Sequence, residues 1–312
     1  MSLSSFSKRF FAVVFLVALS PAFAAGPGPD ESTSQIVTVK IKLDERSMIL
    51  VPVTVNGAGP YEFLMDTGCA KTIVDRKLAE ELNLPQAGEK TVNGVLASAK
   101  LSVVRVNSLS VAGAAVQGGE VFSADHAANV SNKVRGVLGE DFLRNFDVLI
   151  DYRRQVLRLE TASRGSMAAT ALGEHLALQF NGTLHGNPTR NRLIVSGQIR
   201  ELGGATMSLL LDSGASQLTL FRDNLGAEAN QAESRFFGSF NHWVGMSAES
   251  RTIRSLDLGH SSIPDLVVVA LARRADVDMD GVLPTSLFNS VFISHLGRFV
   301  ILNPSFPKSE RQ

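Results

Sequence analysis

Cysteine is nearly absent from this sequence, since Cys69 is the single cysteine among 312 residues. No disulfide can form within one chain, so burial of apolar side chains has to hold the fold together. A lone cysteine is usually a small buried hydrophobic residue. No histidine lies near Cys69 in the sequence to indicate an activated thiolate nucleophile. Cys69 is therefore interpreted as a core residue.

An excess of either charge is also missing, because Lys plus Arg and Asp plus Glu both number 30. Without a net field, and without basic runs mixed with aromatic residues, the chain lacks the features typical of nucleic-acid binding. It also lacks the residue spacings of zinc ligands, of a phosphate-binding loop and of a serine-hydrolase elbow. The sequence therefore predicts no metal, no cofactor and no nucleic-acid partner.

Long apolar runs are confined to the N-terminus, where a basic pair precedes the run 10–19 and the small-residue pattern 22–24. This order is typical of a secretory signal, so we expect residues 1–24 to be cleaved and 25–34 to form a flexible N-terminus. An uncleaved anchor is the alternative, although about 20 apolar residues are needed to cross a bilayer. The protein is thus predicted to be exported, periplasmic or secreted, without stable membrane association after cleavage.

What the sequence does contain is three blocks that each occur twice in the same order. They are a β-branched stretch, an apolar strand that runs into Asp-Thr-Gly or Asp-Ser-Gly, and a Gly-Val-Leu segment: 48–55 with 192–199, 61–70 with 206–216, and 136–143 with 281–288. From Asp66 to Gly136 is 70 positions, and from Asp212 to Gly281 is 69. The nearly equal spacing favours duplication of one unit.

Each half is predicted to be mostly β, because its apolar stretches are β-branched or alternating and are separated by Gly-rich turns. The first lobe would cover 35–160 and the second 174–312, with the Ala-, Ser- and Gly-rich segment 161–173 as the linker. A short helix is predicted at 75–82, where Asp75 is the candidate N-cap and Pro85 stops the helix.

The two repeated aspartates are the candidate catalytic residues. A carboxylate at the end of an apolar strand loses solvation, which is costly unless the fold compensates for it. One Asp-Thr-Gly triplet alone would favour a surface turn, but two copies predict that Asp66 and Asp212 meet at a pseudo-twofold axis. Two carboxylates at hydrogen-bond distance cannot both ionise easily, so the pair would hold one proton over a broad pH range.

Both halves resemble the pepsin and retropepsin superfamily, and more closely the bacterial retropepsin-like aspartyl proteases with two tandem units. The resemblance rests on Asp66-Thr67-Gly68 with Val137-Leu138-Gly139, and on Asp212-Ser213-Gly214 with Val282-Leu283. It implies an all-β, bilobal pepsin-like fold of two retropepsin-like β-barrel halves with a few short helices. It also implies an aspartic endopeptidase in which the two aspartates activate a water for attack on a peptide bond.

The same resemblance assigns supporting roles around the aspartates. Thr67 and Ser213 would lock the two loops by mutual hydrogen bonds. Gly68 and Gly214 would let the backbone turn tightly beside the carboxylates. Gly139 would belong to the segment that packs beside the active-site loop.

Two departures from the family pattern bear on activity. Cys69-Ala70 replaces a small residue followed by a hydroxyl residue, so one hydrogen bond to Asp66 would be missing. Pro284 replaces a glycine and has no N–H to donate. A non-catalytic peptide-binding or scaffold protein is therefore kept as the alternative function.

Peptide substrates of this superfamily lie as extended strands under a hairpin flap. Asn93-Gly94 is predicted to be the turn of one such flap, with an ordinary surface hairpin as the alternative. The aromatic-rich stretch 236–246 around Trp243 is the second candidate, with a satellite core as the alternative.

The expected partner is a peptide or protein substrate. A monomer whose halves form an internal pseudo-dimer is favoured over a homodimer that pairs like halves, because tethering gives the partner half a high effective concentration.

Overall fold

The computed structural model describes residues 36–306 except for 96, 126–130, 132, 162–165, 180–181, 185–186, 190–191, 222–232, 240–241 and 274–276. The predicted signal (1–24) and the predicted flexible N-terminus (25–34) lie outside the described residues. The fold is all-β and bilobal with a few short helices, as predicted. Among the described residues no helix has the length and apolar character needed to cross a bilayer.

The described residues of the first half form eleven strands and two helices. The strands are β1 (Ile36–Lys40), β2 (Lys42–Leu43), β3 (Ile49–Val55), β4 (Ala58–Met65), β5 (Ile73–Asp75), β6 (Gln86–Asn93), β7 (Ser98–Val111), β8 (Ala114–Ala124), β9 (Val134–Leu138), β10 (Phe146–Asp151) and β11 (Val156–Thr161). The helices are α1 (Arg76–Glu81) and α2 (Glu140–Leu143). Eight of these strands form one sheet in the order β2-β3-β4-β9-β5-β8-β7-β6.

The described part of the second half repeats this strand order. It begins with α3 (Ser166–Thr170) and contains β12 (Leu176–Ala177), β13 (Gly182–Leu184), β14 (Asn187–Thr189), β15 (Ile194–Gln198), β16 (Thr206–Asp212), β17 (Thr219–Phe221), β18 (Glu233–Ser239), β19 (His242–Leu258), β20 (Ser261–Leu271), β21 (Gly281–Pro284), β22 (Ser290–Ser294) and β23 (Phe299–Leu302), with 3₁₀ turns at Arg200–Leu202 and Thr285–Leu287. Its sheet runs β15-β16-β21-β17-β20-β19-β18, which matches β3-β4-β9-β5-β8-β7-β6 position by position.

A third sheet contains strands of both halves. Its order is β1-β11-β10-β22-β23-β12, and β10 pairs antiparallel with β22 so that Val148 lies opposite Ile293. The largest apolar cluster likewise takes residues from both halves, including Val148 and Ile293. The two halves are therefore joined through backbone hydrogen bonds and a common core, which fixes the distance between their loops.

Local sequence explains the strands that lead to the aspartates. In β3 buried and half-buried residues alternate, as expected for a strand with one face on the core. In β16 the last four residues, Leu209–Asp212, are all buried, because this strand lies between β15 and β21. A run of apolar residues without alternation is typical of such an interior strand. It carries its terminal aspartate into the interior.

The predicted helix at 75–82 is confirmed as α1. The side chain of Asp75 accepts a hydrogen bond from the N–H of Lys77, and the C-cap residue is Leu82, three residues before Pro85. The segment predicted as a linker, 161–173, is more structured than its composition indicated. It contains α3, where Met167 is fully buried and donates its N–H to Glu160 Oε2 at 2.8 Å.

Candidate active site

Two parallel strand pairs hold the aspartate loops. Met65, the last residue of β4, lies opposite Leu138 of β9, and Asp212 lies opposite Pro284 of β21. The N–H of Asp66 donates to the carbonyl of Leu138 at 3.0 Å. Each Gly-Val-Leu segment therefore lies directly beside an aspartate loop.

Thr67 and Ser213 connect the two loops through four hydrogen bonds. The Thr67 hydroxyl donates to the carbonyl of Leu211 at 2.9 Å, and the Ser213 hydroxyl donates to the carbonyl of Met65 at 2.9 Å. Each hydroxyl also accepts the main-chain N–H of the other residue, at 2.9 Å for Thr67 and 3.1 Å for Ser213. The two loops are thus joined by hydrogen bonds in both directions.

The glycine after each hydroxyl residue makes room for the aspartate of the opposite half. A Cβ on Gly68 would lie 2.5 Å from Asp212 Oδ2, and a Cβ on Gly214 would lie 2.6 Å from Asp66 Cγ. Real Cβ atoms do not tolerate such contacts, so both positions require glycine. Gly139 is similarly enclosed, since its Cβ would lie 2.7 Å from the carbonyl oxygen of Cys69.

Asp66 and Asp212 are both fully buried and face each other. The inner oxygen of Asp66 accepts the N–H groups of Gly68 and Cys69 at 2.8 and 3.0 Å, and that of Asp212 accepts the N–H of Gly214 at 2.7 Å. The outer Oδ2 atoms receive no hydrogen bond from any N–H or O–H donor in the described part of the chain. The two carboxyl groups nevertheless act on each other, since the charge of Asp212 and a hydrogen bond with it both affect the pKa of Asp66.

Burial dominates the electrostatics of this pair. It raises the pKa of Asp66 well above the ordinary value, and the charge of Asp212 and a hydrogen bond with it raise that pKa further. Burial also raises the pKa of Asp212 to about 7, against the opposing effect of hydrogen bonds from Gly214, Asp66 and other loop groups. The two carboxyl groups titrate as one unit, so the pair retains a proton far above the pH at which a free aspartate loses it.

Cys69 occupies the core, as the sequence predicted. It is fully buried, and its thiol lies 2.9 Å from the carbonyl of Lys71 and donates to it. Burial, and after it the negative charge of Asp66, raises the pKa of this thiol well above its ordinary value. The neutral thiol offers no thiolate for nucleophilic attack. Cys69 contacts Asp66 through its main-chain N–H instead.

Pro284 cannot donate a main-chain hydrogen bond, but the residue that would accept this bond is also replaced in the second half. In the first half the N–H of Gly139 donates to the hydroxyl of Thr72 at 3.1 Å, and this hydroxyl donates to Asp141 at 2.7 Å. Thr72 follows Asp66 by six positions, and the residue six positions after Asp212 is Leu218. In the second half, Pro284 lacks the N–H that Gly139 donates, and Leu218 lacks the hydroxyl that accepts it in Thr72. The proline therefore leaves no hydroxyl at this position without its donor.

The first predicted flap is a hairpin of β6 and β7, but its turn differs from the prediction. Asn93 still pairs with Ser98 in the ladder and accepts the Ser98 hydroxyl at 2.8 Å, and the N–H of Gly94 donates to Ala97 at 2.7 Å. The chain therefore turns between Asn93 and Ser98, and Asn93-Gly94 is not a two-residue turn.

Val95 at the tip of this hairpin was missed by the sequence reasoning. It is only 2% exposed, and it packs in an apolar cluster whose other members all come from the second half, including Ile194, Ala215 and Met279. The signal was the apolar pair Val95-Leu96 at a hairpin tip, where polar residues are usual. The hairpin thus reaches from its own half onto the other.

The second predicted flap is also a hairpin, since Ser239 at the end of β18 pairs with His242 at the start of β19. Trp243 lies in β19 opposite Gly238. Its side chain and the tip at 240–241 lie outside the described residues, so an aromatic cover over a substrate stays a prediction. Within the described residues, no group of three His, Cys, Asp or Glu side chains is arranged for a metal ion.

Residues 51–142 match the model of a family described as aspartyl protease. The match includes Asp66 and the segment around Gly139 and stops before Asp212, so it supports the resemblance to aspartyl proteases in the first half. No curated protein matches the chain significantly.

Many solved structures also match the chain. One is the crystal structure of a retropepsin-like aspartic protease from Rickettsia conorii, which is 17% identical to this chain. The alignment covers 41% of this chain and 94% of that protein, with a TM-score of 0.31.

Proposed function

We propose that this protein is an aspartic endopeptidase that hydrolyses peptide bonds with a water held between Asp66 and Asp212. The observation that carries the proposal is the pairing of two buried carboxyl groups whose outer oxygens receive no other donor among the described residues. A structural aspartate would be expected to have these acceptor positions filled by N–H or O–H groups. Two such oxygens side by side are suited to a water and a substrate carbonyl.

In this mechanism one carboxylate accepts a proton from the water while the other carboxyl group, still protonated, donates to the carbonyl oxygen of the substrate. This is general acid–base catalysis, and no covalent intermediate forms. It requires the pair to carry one proton and one negative charge. The pKa of Asp66, raised well above its ordinary value, keeps one proton on the pair, and Asp212, whose pKa is raised to about 7, supplies the negative charge as pH rises through that value.

The Thr67 and Ser213 hydroxyl groups have a geometric role in this proposal. They hold the two aspartate loops in one arrangement through bonds that cross between the halves. These crossed bonds also support a monomer in which the internal halves form the site, in place of a homodimer. Catalysis by a carboxylate pair depends on such fixed distances, because a small displacement of one group removes the aligned geometry.

The substrate is proposed to be a peptide in an extended conformation. Both aspartates are 0% exposed, so a peptide reaches them only after a covering segment moves. The β6–β7 hairpin is the proposed cover, because Val95 at its tip packs against the second half. An extended peptide would then be held through its main-chain hydrogen-bond groups, which makes recognition tolerant of sequence.

Cleavage of a diverse peptide library from about pH 3 to about pH 8 tests this proposal. The protein without residues 1–24 is compared with Asp66→Asn and Asp212→Asn variants purified in the same way. Cleavage by the wild type that is lost in both variants supports one shared site. If either variant keeps half of the activity, like halves pair between chains. If all three proteins are folded and none cleaves, the endopeptidase proposal is wrong and a peptide-binding role takes its place.

A further inference from the structure

Two pairs of polar side chains cross between the halves, and each pair includes a residue from a turn between two strands of the third sheet. The Tyr152 hydroxyl contacts the Thr285 hydroxyl at 2.5 Å, and His295 Nε2 lies 2.9 Å from Glu140 Oε2. Tyr152 belongs to the turn between β10 and β11, and His295 to the turn between β22 and β23. Each half thus sends one side chain from the same turn into the other half.

The pairs occupy equivalent places. Tyr152 and His295 each stand three positions before a residue in the left-handed region, Gln155 with φ of 53° and Arg298 with φ of 58°. Their partners also correspond, because Glu140 directly follows Gly139 and Thr285 directly follows Pro284. Each crossing side chain therefore holds the residue that comes next after a Gly-Val-Leu segment.

On the Asp66 side the connection to the aspartate is continuous. The N–H of Glu140 donates to the carbonyl of Cys69 at 2.8 Å, and the N–H of Cys69 donates to Asp66 Oδ1 at 3.0 Å. His295 is held from its other ring nitrogen, Nδ1, by the carbonyl of Phe146 at 2.7 Å. A chain of contacts therefore runs from His295 through Glu140 and Cys69 to Asp66.

We propose that His295 is a positioning residue for Asp66, which acts from the opposite half by holding Glu140. Its side chain and that of Glu140 are 4% and 1% exposed. Removal of one partner would leave a polar group unpaired in the interior, which is costly, so the pair fixes the backbone at Glu140. Only the consequence for catalysis rests on the proposed endopeptidase function.

The charges around His295 favour this role. Besides Glu140, the carboxyl group of Asp147 acts on the ring electrostatically, and Glu160 lies close enough to act on Asp147. Burial alone would lower the pKa of His295, but the charge of Glu140 and the hydrogen bonds to Glu140 and Phe146 outweigh it, so the pKa is raised. The raised pKa favours a protonated His295 ring beside Glu140, whereas the equivalent Tyr152–Thr285 pair is a contact between two hydroxyl groups.

Cys69 offers a measurement of this chain of contacts that is independent of activity, because the only cysteine lies between Glu140 and Asp66. The rate of its alkylation by iodoacetamide reports how often the loop opens. His295→Asn keeps an amide near the Nδ1 position but does not reach Glu140, whereas His295→Gln places a donor near the Nε2 position. Tyr152→Phe is the matched control, since it removes the equivalent contact on the Asp212 side.

We expect alkylation of Cys69 to be about tenfold faster in His295→Asn, to return to within about twofold of wild type in His295→Gln, and to change less than about twofold in Tyr152→Phe. Unchanged alkylation in His295→Asn, or equal acceleration in Tyr152→Phe, would overturn the proposal.

Kinetics provide the second readout. If the wild type cleaves peptides, His295→Asn should lower kcat with little change in KM, and His295→Gln should restore kcat. A raised KM with unchanged kcat in His295→Asn would also overturn the positioning role. If the wild type cleaves nothing, the endopeptidase proposal fails while the alkylation rates still decide whether His295 positions the Asp66 loop.

Discussion

Thr67 and Ser213 are bonded in a crossed arrangement, in which the hydroxyl of each donates to the carbonyl of the residue that precedes the aspartate of the other half. All atoms of this arrangement are buried. Because each hydroxyl is a donor and an acceptor at once, neither loop can shift without breaking bonds in both halves. The arrangement thus couples the position of Asp66 to that of Asp212.

Replacement of Thr67 by valine tests this coupling. Thr67→Val keeps the side-chain volume but leaves the carbonyl of Leu211 and the N–H of Ser213 without partners in the interior. Each unsatisfied buried group costs about 1–3 kcal/mol, so the free energy of unfolding should fall by about 2–6 kcal/mol. Urea denaturation measures the change.

The exposed Thr91 supplies the control, since Thr91→Val on β6 should change stability by less than about 0.5 kcal/mol. Ser213→Ala should cost an amount similar to Thr67→Val, and the double variant should cost less than the sum, because both substitutions disrupt the same bonds. Fully additive effects would contradict the crossed arrangement.

The buried carboxyl pair should reduce stability at high pH. Because the folded-state pKa of Asp212 is raised to about 7 and that of Asp66 is also raised, the folded protein holds a proton that the unfolded chain releases near pH 4. The cost is therefore absent below about pH 4, grows as pH rises toward 7, and is largest above the folded pKa values. Asp212→Asn removes the ionisable group and should stabilise the protein at about pH 8 by up to about 4 kcal/mol.

Thermal unfolding of wild type and Asp212→Asn across the pH range gives this comparison. The stabilising effect should shrink steadily toward pH 4, where both proteins are neutral at this position. A variant that is less stable than wild type at every pH would show that the aspartate is held by favourable interactions and carries no unfavourable charge.

Undocking of the β6–β7 hairpin should follow from a charge at its tip. Val95→Asp places a carboxylate in an apolar cluster of the second half, and burial of an unpaired charge is unfavourable enough to expel the side chain. Amide hydrogen exchange in residues 86–106 should accelerate by about tenfold or more while the rest of the first half keeps its protection.

Ser98→Asp is the matched control, because Ser98 lies in the same hairpin and is exposed. Similar exchange rates in the two variants would indicate that Val95 contributes nothing to docking.

The aspartate pair could be predicted from the sequence because its signals are local. An apolar strand, an aspartate, a hydroxyl residue and a glycine follow one another twice, and the strands β4 and β16 place them as the pattern indicated. The helix α1 was equally accessible, since Asp75 and Pro85 mark its limits. Both depend on neighbours in the chain.

The crossing pairs could not be predicted in this way. His295 and Glu140 are 155 positions apart, and they meet because β10 of one half pairs with β22 of the other. No local pattern sets that register. The docking of Val95 has the same origin, because the cluster that receives its side chain consists of residues more than 90 positions away.

The Glu140–His295 pair should stabilise the protein in acid more than in alkali. A histidine with a raised folded-state pKa contributes its full stabilisation below the unfolded value of about 6.5 and loses it as pH rises through the folded value. His295→Gln keeps a donor toward Glu140 but cannot ionise.

Wild type should therefore be more stable than His295→Gln at about pH 5.5, and this advantage should decline above about pH 7. Urea denaturation of both proteins at the two pH values measures the difference, and an advantage that is constant or grows with pH would show that His295 is neutral in the folded protein.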